Sequence, residues 1–316
     1  DMILNWQDTY KERLTDARSA LSQIRRGARI FIASACGEPQ LLVKTLLDMA
    51  QNFADVEVIH FLDLGLTDYT SEIYTEHFRH NALFIGANAR AAIKQGHADY
   101  TPIFLSEVPL LMKRGSMPID VALITVSPPD MNGYVSLGIS VDITKTAASV
   151  ARYVVAEVNP NMPRTLGDSF IHVSEISAFV ENDAPLLEFE QRAPDDIAQS
   201  IGRLIADLID NESTIQTGVG KIPNSVFPYL TNKKDLGVHT ETFTDGLIDL
   251  IESGVVTCRK KSLHPGKIVA SFCMGTRRLY DYVHNNPLFE FRPCQYVNDP
   301  YIIARNDRMV SINSAL

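Results

Sequence analysis

The chain alternates short apolar runs with stretches whose apolar positions recur every three or four residues. Runs rich in β-branched and aliphatic residues read as strands: "ARIFIAS" (28–34), "DVEVIHFL" (55–62), "ALFIG" (82–86), "DVALITV" (120–126) and "RYVVAEV" (152–158). Helical patterns lie between them. The segment "DAPLLEFEQRAPDD" (183–196) has two prolines, several acids and no sustained period, and predicts a linker. After it the rhythm restarts with a helix near 195–210, a strand at "STIQTG" (213–218), a helix over 223–230 and a short apolar run at 236–238. A helix carrying Leu247, Ile248, Leu250 and Ile251 follows, then a strand at "KIVASFC" (267–273). Strands alternating with helices predict parallel sheets covered by helices, an α/β fold. The linker divides it into an N-terminal α/β domain over 1–185 and a C-terminal one over 186–316. The chain stops at "RMVSINSAL", a strand-like run with no polar tail, and the second stretch is short for an α/β domain. An incomplete second domain is therefore expected, in a fragment or a part of a longer protein.

Composition narrows the chemistry. With 316 residues, 45% hydrophobic and 21% charged, the chain is long enough for a large core and two domains. A net charge of −9 and a pI of about 5.4 argue against a nucleic-acid partner, and Arg25-Arg26 and Lys260-Lys261 are too short to form a basic groove. Cys36, Cys258, Cys273 and Cys294 show neither CxxC spacing nor the density of a disulfide scaffold, which predicts buried thiols in a reducing cytoplasm. No apolar run approaches the ~20 residues of a membrane span, and "DMILNWQDTYKERL" has no signal-peptide core, so no membrane association is expected.

Three stretches offer chemistry. In "TGVGKIPNSV" (217–226), Gly218 and Gly220 close a strand and Pro223 suits an early helical position. Free amides at a helix start suit a phosphate, a carboxylate or a developing oxyanion, while the plain alternative is a tight turn. As a dinucleotide signature the run fails, because Pro223 replaces the third glycine. In "LGVHTETFTDGLIDLIESG" (236–254), Glu241 and Asp245 are expected in the turn between strand and helix. Asp245 reads as an N-cap, whereas Glu241 lies four residues earlier, too far out to serve that helix, which favours a functional role. His239 alternates with Glu241 and reads as a satisfied core histidine. "SPPDMNGYVSLG" (127–138) and "YVNDP" (296–300) are turn chemistry, with Tyr134, Ser136 and Asn298 able to reach a ligand. The eight histidines are scattered without HxH or HExxH, and GxSxG is absent, so neither a metal set nor a serine nucleophile has a motif.

Taken together, "GVGKIPNSV", "LGVHTETFTDGLIDLIESGVV", "LHPGKIVASFCMGTRRLYD" and "YVNDP" resemble the acetyl-CoA hydrolase/transferase family, in particular its 4-hydroxybutyrate CoA-transferase branch. "ACGEPQLLV" (35–43) and "SPPDMNGYVSLGISVD" (127–142) carry the likeness through the first half. The resemblance implies two open α/β domains of the NagB/RpiA/CoA-transferase type, the second apparently truncated. It implies a catalytic glutamate at Glu241, CoA contacts from Gly218, Val219, Gly220, Lys221 and Ile222, and substrate-pocket positions at Asn298, Gln40 and Tyr134. Coenzyme A is then a substrate, with no metal, nicotinamide or flavin. Partners are an acyl-CoA and a short-chain carboxylic acid, in a cytoplasmic homodimer or larger homo-oligomer. The implied activity is acyl-CoA:carboxylate CoA transfer, acetyl-CoA being the expected donor, by ping-pong chemistry through a glutamyl-CoA thioester. Alternatives are an acyl-CoA hydrolase using the same glutamate and a non-catalytic CoA-binding module. Two departures stand out. Lys221 occupies a position where the family commonly has alanine, and the glycine-rich segment expected beyond "INSAL" is missing.

Overall fold

The computed structural model describes residues 5–64 and 68–314. Its first half contains β1 (Arg29–Ile32), β2 (Val56–His60), β3 (Phe78–Ala82), β4 (Ala98–Tyr100), β5 (Val121–Val126), β6 (Tyr134–Ser136), β7 (Tyr153–Val158), β8 (Phe170–His172) and β9 (Ala178–Glu181). Seven of these form a parallel sheet in the order β4-β3-β2-β1-β5-β7-β9, while β6 and β8 pair as an antiparallel ribbon. The second half contains β10 (Thr214–Thr217), β11 (Gly237–Phe243), β12 (Ile268–Cys273), β13 (Phe289–Phe291) and β14 (Met309–Ile312). They make a five-stranded parallel sheet ordered β13-β12-β11-β10-β14. All six side chains are buried in β5 and again in β12, the continuous apolar reading of a strand covered on both faces.

Three sequence expectations shift. The run 82–86 is not a strand: β3 lies earlier, because pairing from Val56↔Phe78 to His60↔Ala82 places polar Arg79, His80 and Asn81 inside the ladder. Glu241 is not in a turn either. Pairing with β12 from His239↔Val269 to Phe243↔Cys273 keeps β11 extended through it. The proline-rich segment is irregular, as its composition suggests, yet it is held down. Leu186 and Leu187 are buried, Tyr280 Oη donates to Leu187 O at 2.6 Å, and Phe189 N donates to Gly275 O at 2.9 Å.

The two sheets share a continuous apolar core. Backbone bonds cross between them: Val141 N to Ser271 O at 3.2 Å, Cys273 N to Ile139 O at 2.9 Å and Asp168 N to Phe291 O at 2.7 Å. Helix Asp196–Asp207 turns Ala198, Gly202 and Ala206 inward, and a Cβ on Gly202 would stand 2.4 Å from Ser225 O. Ile197, Leu204 and Leu208 face outward. All four cysteines are free and buried. Among the described residues, no helix is long and apolar enough to cross a membrane.

Candidate active site

In β11, Glu241 is the one residue that is not fully buried. Its Oε2 accepts a short hydrogen bond from Asn298 Nδ2, and no protein donor is bonded to Oε1 among the described residues. Burial raises the carboxyl above its ordinary value, Asn298 opposes this by bonding the charged form, and the charge of Asp142 adds to the rise. Asn298 caps the short helix Cys294–Val297, its N–H donating to Cys294 O at 2.8 Å. His239, on the Glu241 side of β11, donates from Nε2 to Val297 O at 2.8 Å and so fixes the residue preceding Asn298. Burial pushes the His239 imidazole down to about 4, so it is neutral near pH 7, and its Nδ1 has no partner among the described residues.

The glycine turn follows β10. Gly218 N donates to Ile312 O at 2.9 Å, which extends the β10–β14 ladder and takes that amide out of use. The N–H groups of Val219 and Gly220 have no acceptor among the described residues. Gly220, at φ +139°, caps helix Lys221–Val226 in a backbone conformation that L side chains rarely adopt. The amides of Val219 and Gly220 are therefore the ones left without a protein acceptor, and that of Gly218 is not.

Glu241, Gly218 and Val219 border one cavity of 660 Å³. It opens beyond the carboxyl ends of both sheets: Phe61–Leu64 follow β2, Leu83–Gly86 follow β3, Ile103 and Leu105 follow β4, and Asn313 follows β14. Ligands in open α/β sheets occupy this position, beside the strand where the order reverses, here β10. The wall is mostly apolar, from Phe61, Leu83, Phe84, Val108, Phe272 and Met274, with Asp63 and Arg90 as further charges. Those apolar residues carried no motif, and only the fold gathers them.

Several predicted residues lie elsewhere. Lys221 Nζ pairs with Asp195 Oδ2 at 3.1 Å on the surface, and Gly220, Lys221, Ile222 and Asn298 do not border the cavity, Asn298 meeting it only through Glu241. Gln40 Nε2 donates to Pro185 O at 3.0 Å, tying helix Gln40–Asp48 to the irregular segment. Tyr134 packs edge-on against His172 in the β6–β8 ribbon, with ring centroids 5.0 Å apart. Both are outside the cavity lining because their partners hold them to other surfaces. Ser136 is buried and bonded to Thr165. Asp245 is not an N-cap. Thr244 holds that position, while the Asp245 carboxylate accepts from Thr276 N at 2.9 Å and Oγ1 at 2.6 Å.

Glu38, His60 and Asp63 bring ligand-type atoms within 4.8 Å of one another. His60 is already engaged at both nitrogens, Nδ1 with Tyr69 Oη at 2.6 Å and Nε2 with Ala33 O at 3.2 Å. A cation there would have to displace one of those bonds.

Comparison with known proteins decides the family. The family description "Acetyl-CoA hydrolase/transferase N-terminal domain" matches residues 3–189, and its C-terminal counterpart matches 275–316. The chain belongs to the acetyl-CoA hydrolase/transferase family. It is 50% identical over 313 residues to the 4-hydroxybutyrate coenzyme A transferase of Clostridium kluyveri, covering 99% of this chain and 73% of that protein. Among solved structures, RipA from Yersinia pestis matches at 36% identity and TM-score 0.93, covering 98% of this chain and 74% of its own. The 4-hydroxybutyrate CoA-transferase of Porphyromonas gingivalis matches at 36% and TM-score 0.84, with the same coverage. Glu241 falls between the two matched family segments but within the full-length likeness to these family members.

Proposed function

We propose that Glu241 is the covalent nucleophile of this CoA-transferase, which moves CoA between an acyl-CoA and a carboxylic acid. One observation carries the reading: a mostly buried carboxylate with one oxygen held by Asn298 borders an apolar cavity that Val219, whose backbone N–H has no acceptor among the described residues, also borders. A carboxylate carrier suits the chemistry, because exchanging CoA between acids through a third acid keeps each intermediate close in energy to substrate and product. Oε1 attacks the thioester carbonyl. The tetrahedral oxyanion collapses to a mixed anhydride and CoA thiolate. The thiolate then attacks the glutamyl carbonyl, expelling the first carboxylate and leaving a glutamyl-CoA thioester. An incoming carboxylate reverses these steps, giving ping-pong kinetics. The amides of Val219 and Gly220 stabilise the oxyanions, at about 3 kcal/mol per donor. The apolar wall receives the acyl chain and excludes water that would hydrolyse the anhydride.

Acetyl-CoA is the proposed donor and a short-chain carboxylic acid the acceptor. The steps above need no metal, nicotinamide or flavin. A cytoplasmic homodimer or larger homo-oligomer is the proposed setting. Assays of acetyl-CoA consumption with and without a panel of short acids test the reading: the acid should accelerate consumption and appear as its CoA ester. Consumption that ignores the acid and yields only free CoA would make the protein a hydrolase.

A further inference from the structure

Strands β10 and β11 pair in parallel at Thr214↔Gly237 and Ile215↔Val238. Continued, that register would set Thr217 opposite Thr240, but the strands part before reaching it. β10 stays with β14 through Thr217↔Ile312, and β11 stays with β12 through Phe243↔Cys273. The opening between them separates the glycine turn from Glu241. One fully buried side chain spans it. Thr240 Oγ1 accepts from Thr217 N at 3.1 Å and donates to Thr217 O at 3.0 Å, with Thr242 O at 3.1 Å as a second acceptor for its single proton.

We infer that Thr240 is a positioning residue whose hydroxyl stands in for the missing ladder bonds and sets the oxyanion donors of the glycine turn against the Glu241 nucleophile. The inference rests on the reading of Glu241 as nucleophile. Thr217 lies two residues before Val219, and Thr240 precedes Glu241 directly, so the hydroxyl joins the strand ends that carry the donors and the nucleophile. Backbone pairing would close the strands and narrow the crevice that the thioester must enter. No tie at all would leave the amides of Val219 and Gly220 free to drift from the oxyanion, and displacement by about 1 Å can cost on the order of 100-fold in rate. A hydroxyl is long enough to keep the gap and short enough to fix its width.

Thr240→Val keeps shape and removes the hydroxyl, while Thr240→Ser keeps the hydroxyl and removes the methyl. The valine variant should lower kcat roughly 30-fold to 100-fold with KM for acyl-CoA changed less than about threefold, and the serine variant should recover to within about threefold of the parent. Unchanged kcat in Thr240→Val, a loss confined to KM, or equal losses in both variants would overturn the inference. If the valine variant does not fold, amide exchange in the parent decides: a protected Thr217 N–H supports the bond, and a freely exchanging one refutes it. Glu241→Ala, run alongside, separates the claims. Retained transfer there defeats the nucleophile reading and this inference with it, whereas loss there beside an unaffected Thr240→Val defeats only the inference.

Discussion

Asn298 is the contact that favours the charged form of Glu241, opposing the larger effect of burial. Without it, burial and the Asp142 charge remain, and both raise the carboxyl. The proposed attack requires the ionised form, so Asn298→Leu should move the acid limb of the kcat/KM profile to higher pH and lower activity on that limb. A pH-rate series checks this, and an acid limb that does not move would show that Asn298 only packs. Glu241 and Asn298 could be singled out in the sequence because each stood in a distinctive motif, and the structure brings their side chains together, although Asn298 also caps helix Cys294–Val297. Gln40 and Tyr134 stood in motifs just as distinctive, yet their side chains serve Pro185 and His172. Thr240 was invisible. Its role arises from two strands parting, and no one-dimensional pattern records that.

The turn joining β10 to helix Lys221–Val226 depends on one backbone conformation. At φ +139°, Gly220 occupies a region that a β-branched residue adopts only with strain, although the nearest atom to an added Cβ is Ser314 Oγ at 3.3 Å. Gly220→Val should therefore abolish transfer by displacing the amide, while lowering Tm by only a few degrees, since strain of roughly 1–3 kcal/mol falls on an edge of the fold. Kinetics and thermal melts on one preparation check it, and parental kcat would mean that the turn is only a turn. Elements with continuous apolar runs, such as β5 and β12, were readable from pattern alone. β3 was misplaced because its ladder buries His80, which pattern reading scores as polar. β11 was read too short for the same reason, its carboxyl half being His239, Thr240, Glu241 and Thr242.

Across the whole molecule, the cavity exists only because the carboxyl ends of two sheets face each other, and their cross-bonds through Ile139–Val141 and Asp168 hold them there. That apposition could not be read from either half. Within the first half, burial, with the charges of Asp63 and Glu157, pushes Glu38 up to about 8 from an ordinary 4.5. Between those values the native state holds a proton that the unfolded chain has released, so stability falls as pH rises from 4.5 to 8. Glu38→Gln should leave Tm unchanged near pH 4.5 and raise it at pH 8, recovering at most about 5 kcal/mol. Melts at both pH values check it, and a variant no more stable than the parent at pH 8 would contradict the assignment. The central claim concerns a covalent bond, and intact-protein mass spectrometry after incubation with acyl-CoA and no acceptor acid tests it most directly. The account predicts an added mass of CoA less one water, removed by hydroxylamine and mapped to Glu241. No adduct, or an adduct on Asp245 or Glu252, would contradict it.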